Sequence, residues 1–137
     1  MKPMNTFLEN EILSDKRIKF IGALYDIDVL NNLRYYSNIY FHGHTVGGTN
    51  PSLLEAMSSQ ALVVAHDNQF NKGVLNKNAL YFKTSEEVKN ILNTVKKNDN
   101  LQLIKNNFEA IEEKFNWKII NEQYLHFFKE CLVGFNK

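Results

Sequence analysis

A continuous run of small apolar residues, ALVVA at positions 61–65, sets the strongest limit on how this chain can fold. A strand with one face in water alternates apolar and polar side chains, whereas a strand covered on both faces is apolar throughout. Helical patterns flank the run, and the helix before it begins with Asn50 as a capping residue and Pro51 in its first turn. Strands that alternate with helices in this way predict a parallel α/β sheet covered by helices.

The other elements are predicted from apolar spacing and from capping residues. Further strands are expected at residues 18–22, 39–42 and 79–82. Helices are expected at residues 5–13, from a cap at Asp26 or Asp28 to Tyr36, at 51–60, at 101–115 and at 117–132. Another helix is expected after Thr84, which forms a capping box with Glu87.

Composition indicates a single globular domain spanning residues 1–137, since 44% of the residues are hydrophobic. The net charge of +1 gives no overall field to attract nucleic acid or an anionic membrane, so any bound anion must be held locally. The N-terminal residues resemble neither a signal peptide nor a membrane span, and we therefore expect a cytoplasmic protein.

We expect the cysteine and the aromatic residues at helical spacing to be buried in the core and not to belong to a binding site. The single cysteine, Cys131, excludes an intrachain disulfide and lies in a helical pattern, where a buried cysteine acts as a small hydrophobe. Aromatic residues at helical spacing are also expected to be core: Tyr36, Phe108, Phe115 and Phe127.

The segment HGHTVGGTNPSLLEAM, residues 42–57, places a strand end, a glycine-containing loop and a capped helix in succession. The N-terminus of a helix has unpaired N–H groups and a partial positive charge, and Gly47 and Gly48 let the backbone approach an anion closely. Glu55, on the second turn of that helix, can accept hydrogen bonds from vicinal hydroxyls of a ribose or sugar. The alternatives are a plain turn in which glycine relieves strain and a solvated surface glutamate.

Histidines flank the same loop. His42 and His44 can point to one face of a strand, but no third ligand of suitable spacing follows, so no metal is expected. His66 and Asn71 follow the end of the central strand, where ligands collect in open α/β sheets, and we regard them as pocket residues. A polar surface loop is the alternative for these two positions.

The 42–57 segment resembles the donor-binding motif of the retaining family-four glycosyltransferases, in which seven residues separate two glutamates. Leu54-Glu55-Ala56-Met57 matches the LEAM end of the motif, whereas Gly47 stands at the position of the first glutamate. The whole segment is similar to HGHSVGGTNPSLLEAM of the rhamnosyltransferase-like subgroup, which lacks that glutamate as well. Further similarity lies in Phe20-Ile21-Gly22, in residues 61–65, and in Phe115-Asn116-Trp117 with Tyr124.

The resemblance implies a Rossmann-like parallel sheet flanked by helices, as the partial C-terminal domain of an enzyme with the two-domain GT-B fold. It assigns Gly22, Ala23 and Leu24 to the nucleobase, the amides of Gly47, Gly48 and Thr49 to the sugar and diphosphate, and Glu55 to the ribose. His44 and Asn50 are candidates for sugar contacts. No metal or other cofactor is implied.

The implied reaction is transfer of a hexose, expected to be rhamnose from a dTDP donor, to a saccharide or lipid-linked saccharide acceptor of a surface polysaccharide. The acceptor would be bound by a separate N-terminal domain, and the longer enzyme would be cytoplasmic or peripheral at the inner face of the membrane. A cationic pair that neutralises the diphosphate in such enzymes is not identifiable before Asn5. The chain alone is therefore expected to be inactive. The two strands that open the donor domain of such enzymes are not identifiable either, so self-association through an exposed sheet edge is also expected.

Two functions of other classes remain open on the sequence. A non-catalytic nucleotide-sugar-binding protein would keep the loop and Glu55 but would transfer no sugar. A protein-interaction module would bind no nucleotide.

Overall fold

Within residues 14–135 the sheet has three parallel strands, β1 (Tyr40–His42), β2 (Val63–His66) and β3 (Leu80–Phe82), in the order β1-β2-β3. The computed structural model describes residues 14–135, with side chains to residue 133. Tyr40 is opposite Val63, and Val64 is opposite Leu80. The predicted α/β class and parallel strand direction are confirmed, and the arrangement is compatible with a Rossmann-like sheet.

In the described chain, helices lie before β1, in the connections between the strands, and after β3. They are α1 (Ile27–Tyr36), α2 (Pro51–Ser58), α3 (Gln69–Leu75), α4 (Ser85–Thr94), α5 (Leu101–Lys114) and α6 (Trp117–Phe135), with a short 3₁₀ helix (Lys97–Asn100) before α5. The predicted caps at Asp26 and Asn50 are confirmed, as is the capping box of Thr84 with Glu87. Among residues 14–135 no helix is long and apolar enough to cross a membrane.

Strand β2 lies at the centre of the core, because the residues from Ala61 to Ala65 have no exposed surface. Val63 and Ala65 pack in one cluster with Leu53 and Met57 of α2. Leu62 and Val64 point to the opposite face by the alternation of a strand, and they too are fully buried. The prediction of a central strand covered on both faces is thus confirmed.

The predicted strand at residues 18–22 is wrong. These residues form no ladder with β1, and their large apolar side chains are exposed, with Phe20 and Ile21 each 64% accessible. A strand exists only where a neighbouring backbone accepts and donates its hydrogen bonds, and an apolar run does not by itself supply that neighbour.

Three side chains assigned to the core are in fact exposed: Cys131, Tyr36 and Phe127, the last two by 80% and 58%. Helical spacing places residues on one face of a helix, but it does not provide the surface that would cover that face. Phe108 and Phe115 are half-buried, and Phe115 packs against the core cluster. The helix expected at residues 5–13 lies outside the described residues.

Leu53→Ala is expected to destabilise the fold by about 2–5 kcal/mol, because it opens a cavity beneath β2 where little can collapse. The matched control is Leu92→Ala on α4, where the side chain is 58% exposed. Urea unfolding followed by circular dichroism measures both free energies. Equal losses for the two variants would contradict this description of the core.

Candidate functional site

Residues 43–50 form an exposed loop between the carboxyl end of β1 and the first turn of α2. Asn50 caps the helix, since its Oδ1 accepts from the backbone N–H of Ser52 at 3.0 Å and from the Ser52 hydroxyl at 2.8 Å. The N–H of Leu53 donates to the Asn50 carbonyl at 3.0 Å. The helix therefore satisfies its own first donors, and its N–H groups are less free than the sequence predicted.

The free donors lie instead in the loop itself. The backbone N–H groups of Gly47, Gly48 and Thr49 make no hydrogen bond to any residue that the structure describes. Gly47 has φ +133°, in the region that disfavours a side chain, so glycine is required there by conformation. The three amides assigned to an anion are thus accessible on an exposed turn.

Asn71 fixes the start of this loop. It is 4% exposed, and its Nδ2 donates to the His44 carbonyl at 3.1 Å and to the His66 carbonyl at 2.8 Å. Asn68, which caps α3, donates to the same His44 carbonyl at 2.9 Å. The predicted residues His44, His66 and Asn71 are therefore brought together, but Asn71 acts on backbone carbonyls and not on an open pocket.

Tyr40, His42 and His44 form a column of rings along one face of β1 and the start of the loop. The His42 ring lies 4.6 Å from that of His44 and 6.4 Å from that of Tyr40, nearly parallel to both. His42 is 1% exposed, and its Nε2 has no hydrogen-bond partner among the described residues. Burial, with a smaller contribution from the neighbouring His44, lowers the pKa of His42, so the ring is neutral near pH 7.

His66 is the last residue of β2, the strand next to β1, and it is half-buried. Its ring meets Phe82 edge to face at 5.7 Å, and its Nδ1 is 3.3 Å from the amide nitrogen of Asn68. Among residues 14–135 no group of three or more His, Cys, Asp or Glu side chains is arranged to hold a metal ion.

Glu55 is engaged in an ion pair that sequence reasoning missed. Its Oε2 accepts from Nη2 of Arg34 at 2.7 Å, and Arg34 is only 7% exposed, on the last turn of α1. Asn31 supports the pair, since its Oδ1 accepts from Nη1 of Arg34 at 3.1 Å. Oε1 of Glu55 makes no hydrogen bond to the described chain, and the glutamate side chain remains 45% exposed. One carboxylate oxygen is thus fixed while the other is available.

Gly22, Ala23 and Leu24 lie in an irregular segment that precedes α1. No hydrogen bond within residues 14–135 connects them to the loop or to Glu55. Gly22 has φ +69°, which suits a left-handed turn. A separate open groove of about 460 Å³ runs along α1, and none of its lining residues belongs to the loop: Val29, Asn32, Leu33, Tyr36 and Ser37.

Sequence reasoning also missed α3 and the role of Asn68. The signal was present, because Asn68 is a good N-cap and its Oδ1 accepts from the N–H of Asn71 at 2.9 Å. No signal could have found the Arg34–Glu55 pair, because the two residues are 21 positions apart and lie on different helices.

Comparisons of the chain with models of protein families, with curated proteins and with solved structures find no match.

Asn71→Ala is expected to cost about 1–3 kcal/mol of stability, because the buried Asn71 amide no longer donates to the His66 carbonyl and the loop loses one of two anchors. Asn93→Ala, at an exposed position of α4, is the control. Chemical denaturation measures the free energy of unfolding of both variants. If Asn71→Ala lowers it no more than Asn93→Ala does, the anchoring role of Asn71 is contradicted.

Stability is expected to fall as the pH is lowered below 6.5, the ordinary pKa of histidine. The unfolded chain takes up a proton at His42 in that range, whereas the folded chain takes it up only at lower pH, so protonation favours unfolding. Urea unfolding at roughly pH 7.5 and pH 5.5 measures the change on either side of the ordinary histidine value.

Two variants identify the residue responsible for this pH dependence. His42→Phe should reduce it, whereas Asn93→Ala, an exposed change on α4 that removes no titratable group, should leave it unchanged. A wild-type pH dependence that His42→Phe fails to alter would refute the assignment.

Proposed function

We propose that this domain binds the nucleotide-diphosphate sugar of a retaining family-four glycosyltransferase of the rhamnosyltransferase-like subgroup. The observation that carries the proposal is the exposed loop of residues 43–50, whose unpartnered amides include those of Gly47, Gly48 and Thr49 and lie between the end of a parallel strand and a capped helix. Ligands of open parallel sheets bind at this edge, beyond the carboxyl ends of the strands.

The loop offers neutral donors to an anion. Backbone amides bind phosphate oxygens without a cationic side chain, and the dipole of α2 adds a partial positive charge at its N-terminus. Because Asn50 and the first turn satisfy the helix donors, the diphosphate would be bound by Gly47, Gly48 and Thr49. His44 and Asn50 lie at the two ends of this loop, where they can contact the sugar.

Glu55 would accept hydrogen bonds from the ribose through its unengaged oxygen. Arg34 and Asn31 hold the other half of the carboxylate, so the acceptor is already oriented before a ligand binds. In the same proposal Gly22, Ala23 and Leu24 flank the nucleobase.

The donor that fits the resemblance is dTDP-rhamnose, and the acceptor is a saccharide or lipid-linked saccharide of a surface polysaccharide. A second domain would supply the acceptor site and the cationic groups that stabilise the leaving diphosphate. Transfer would then occur in the longer enzyme, while this domain contributes donor recognition.

Calorimetric titration with dTDP, UDP and GDP tests the proposal. We expect saturable binding that is tightest for dTDP, and about a tenfold loss in Glu55→Ala, the size expected from one hydrogen bond to a charged acceptor. Glu113→Ala, at an exposed position of α5, is the matched control. Circular dichroism at the titration temperature verifies that each variant is folded.

The outcomes separate the candidate functions. Absence of nucleotide binding in the wild-type chain would exclude the donor site and favour a protein-interaction module. Binding that Glu55→Ala and Glu113→Ala change equally would show that Glu55 only connects α1 with α2 through Arg34.

A further inference from the structure

His42 differs from the other buried polar side chains that have an unpaired atom. Arg34 Nε and Asn107 Oδ1 are also unpaired, but both residues make side-chain hydrogen bonds through their remaining atoms. His42 makes none to any residue that the structure describes, although it is 1% exposed. An unpaired polar atom in a protein interior is unfavourable, and an apolar ring of the same size would avoid the penalty.

The position of His42 is fixed by the ring column of β1. On one side Tyr40 reaches α2, since its hydroxyl lies 3.4 Å from the carbonyl of Ser52 in the first turn. On the other side the ring of His44 begins the loop. The column thus connects the first turn of α2 with the start of the loop that carries the proposed phosphate-binding amides, and His42 is its middle ring.

The exposed His44 ring covers one face of the His42 ring, at 4.6 Å. His44 is exposed, and its carbonyl is the sole atom of residues 43–49 that makes a hydrogen bond to the described chain. The rest of the loop and the His44 ring can therefore shift without breaking a described hydrogen bond. For a ligand on the loop amides to contact His42, the His44 ring would have to move aside, and no hydrogen bond of the described chain opposes that movement.

We propose that His42 is a ligand-binding residue of this site, and that its Nε2 donates a hydrogen bond to a phosphate oxygen of the bound nucleotide diphosphate. This rests on the proposed function. A neutral imidazole carries one N–H, and phosphate oxygens are acceptors, so the two are matched when the proton is on Nε2. The lowered pKa of His42 agrees with this neutral form. The hydrogen bond supplies the partner that the buried nitrogen lacks.

His42→Phe tests the assignment, because it keeps an aromatic ring in the column and removes the nitrogens. We expect an unchanged or higher melting temperature together with at least a roughly tenfold weaker Kd for dTDP in calorimetry. A purely structural histidine would give the opposite pattern, a lower melting temperature and the wild-type Kd. That pattern would overturn the proposal.

His42→Gln is the matched control, because its side-chain amide places a donor near the position of Nε2. It should bind dTDP more tightly than His42→Phe, and equal affinities of these two variants would contradict a donor role. If the wild-type chain binds no dTDP, the proposed function fails and His42 has no ligand. If the wild type and His42→Phe bind dTDP equally, only the His42 assignment fails.

Discussion

Strand β2 has no exposed face, and this constraint organises the rest of the described structure. Each residue from Ala61 to Ala65 is fully buried, so both faces of the strand must be covered. On one face Leu53 and Met57 of α2 pack against Val63 and Ala65. Because α2 is held there by its apolar side, its capped N-terminus is brought to the carboxyl edge of β1. The loop of residues 43–50 is the short connection that this packing leaves at the edge.

The carboxyl edge of β1 and β2 is held together by neutral groups. The amide of Asn71 joins the carbonyls of His44 and His66, which tie the end of β1 to the end of β2. The loop beyond His44 makes no such bond, so one end is rigid while the amides remain free. In the proposed function such a rigid base with free donors would lower the ordering cost of binding, since only a few loop residues would have to change.

How much the sequence could predict depends on whether a signal was local. The apolar run at 61–65, the Asn50 cap and the Thr84 capping box depend on neighbours within a few positions, and all three were confirmed. The expected strand at 18–22 and the burial of Cys131 depended on partners elsewhere in space, which apolar spacing does not reveal. For the candidate site, sequence identified the loop and Glu55 but not Arg34, whose contact with Glu55 exists only after α1 and α2 have packed.

The Arg34–Glu55 pair bears on whether Glu55 can serve a ligand at all. If both carboxylate oxygens of Glu55 accepted hydrogen bonds from the protein, one of these bonds would have to break before a ribose hydroxyl could donate to the carboxylate. Here Arg34 engages Oε2 alone, and Asn31 holds the guanidinium from the other side. The pair also links α1 to α2, and removing Glu55 would leave the buried Arg34 without its partner. A loss of stability in Glu55→Ala would therefore not measure ligand binding. The two roles are compatible, because the oxygen that stabilises the fold is not the one that remains free.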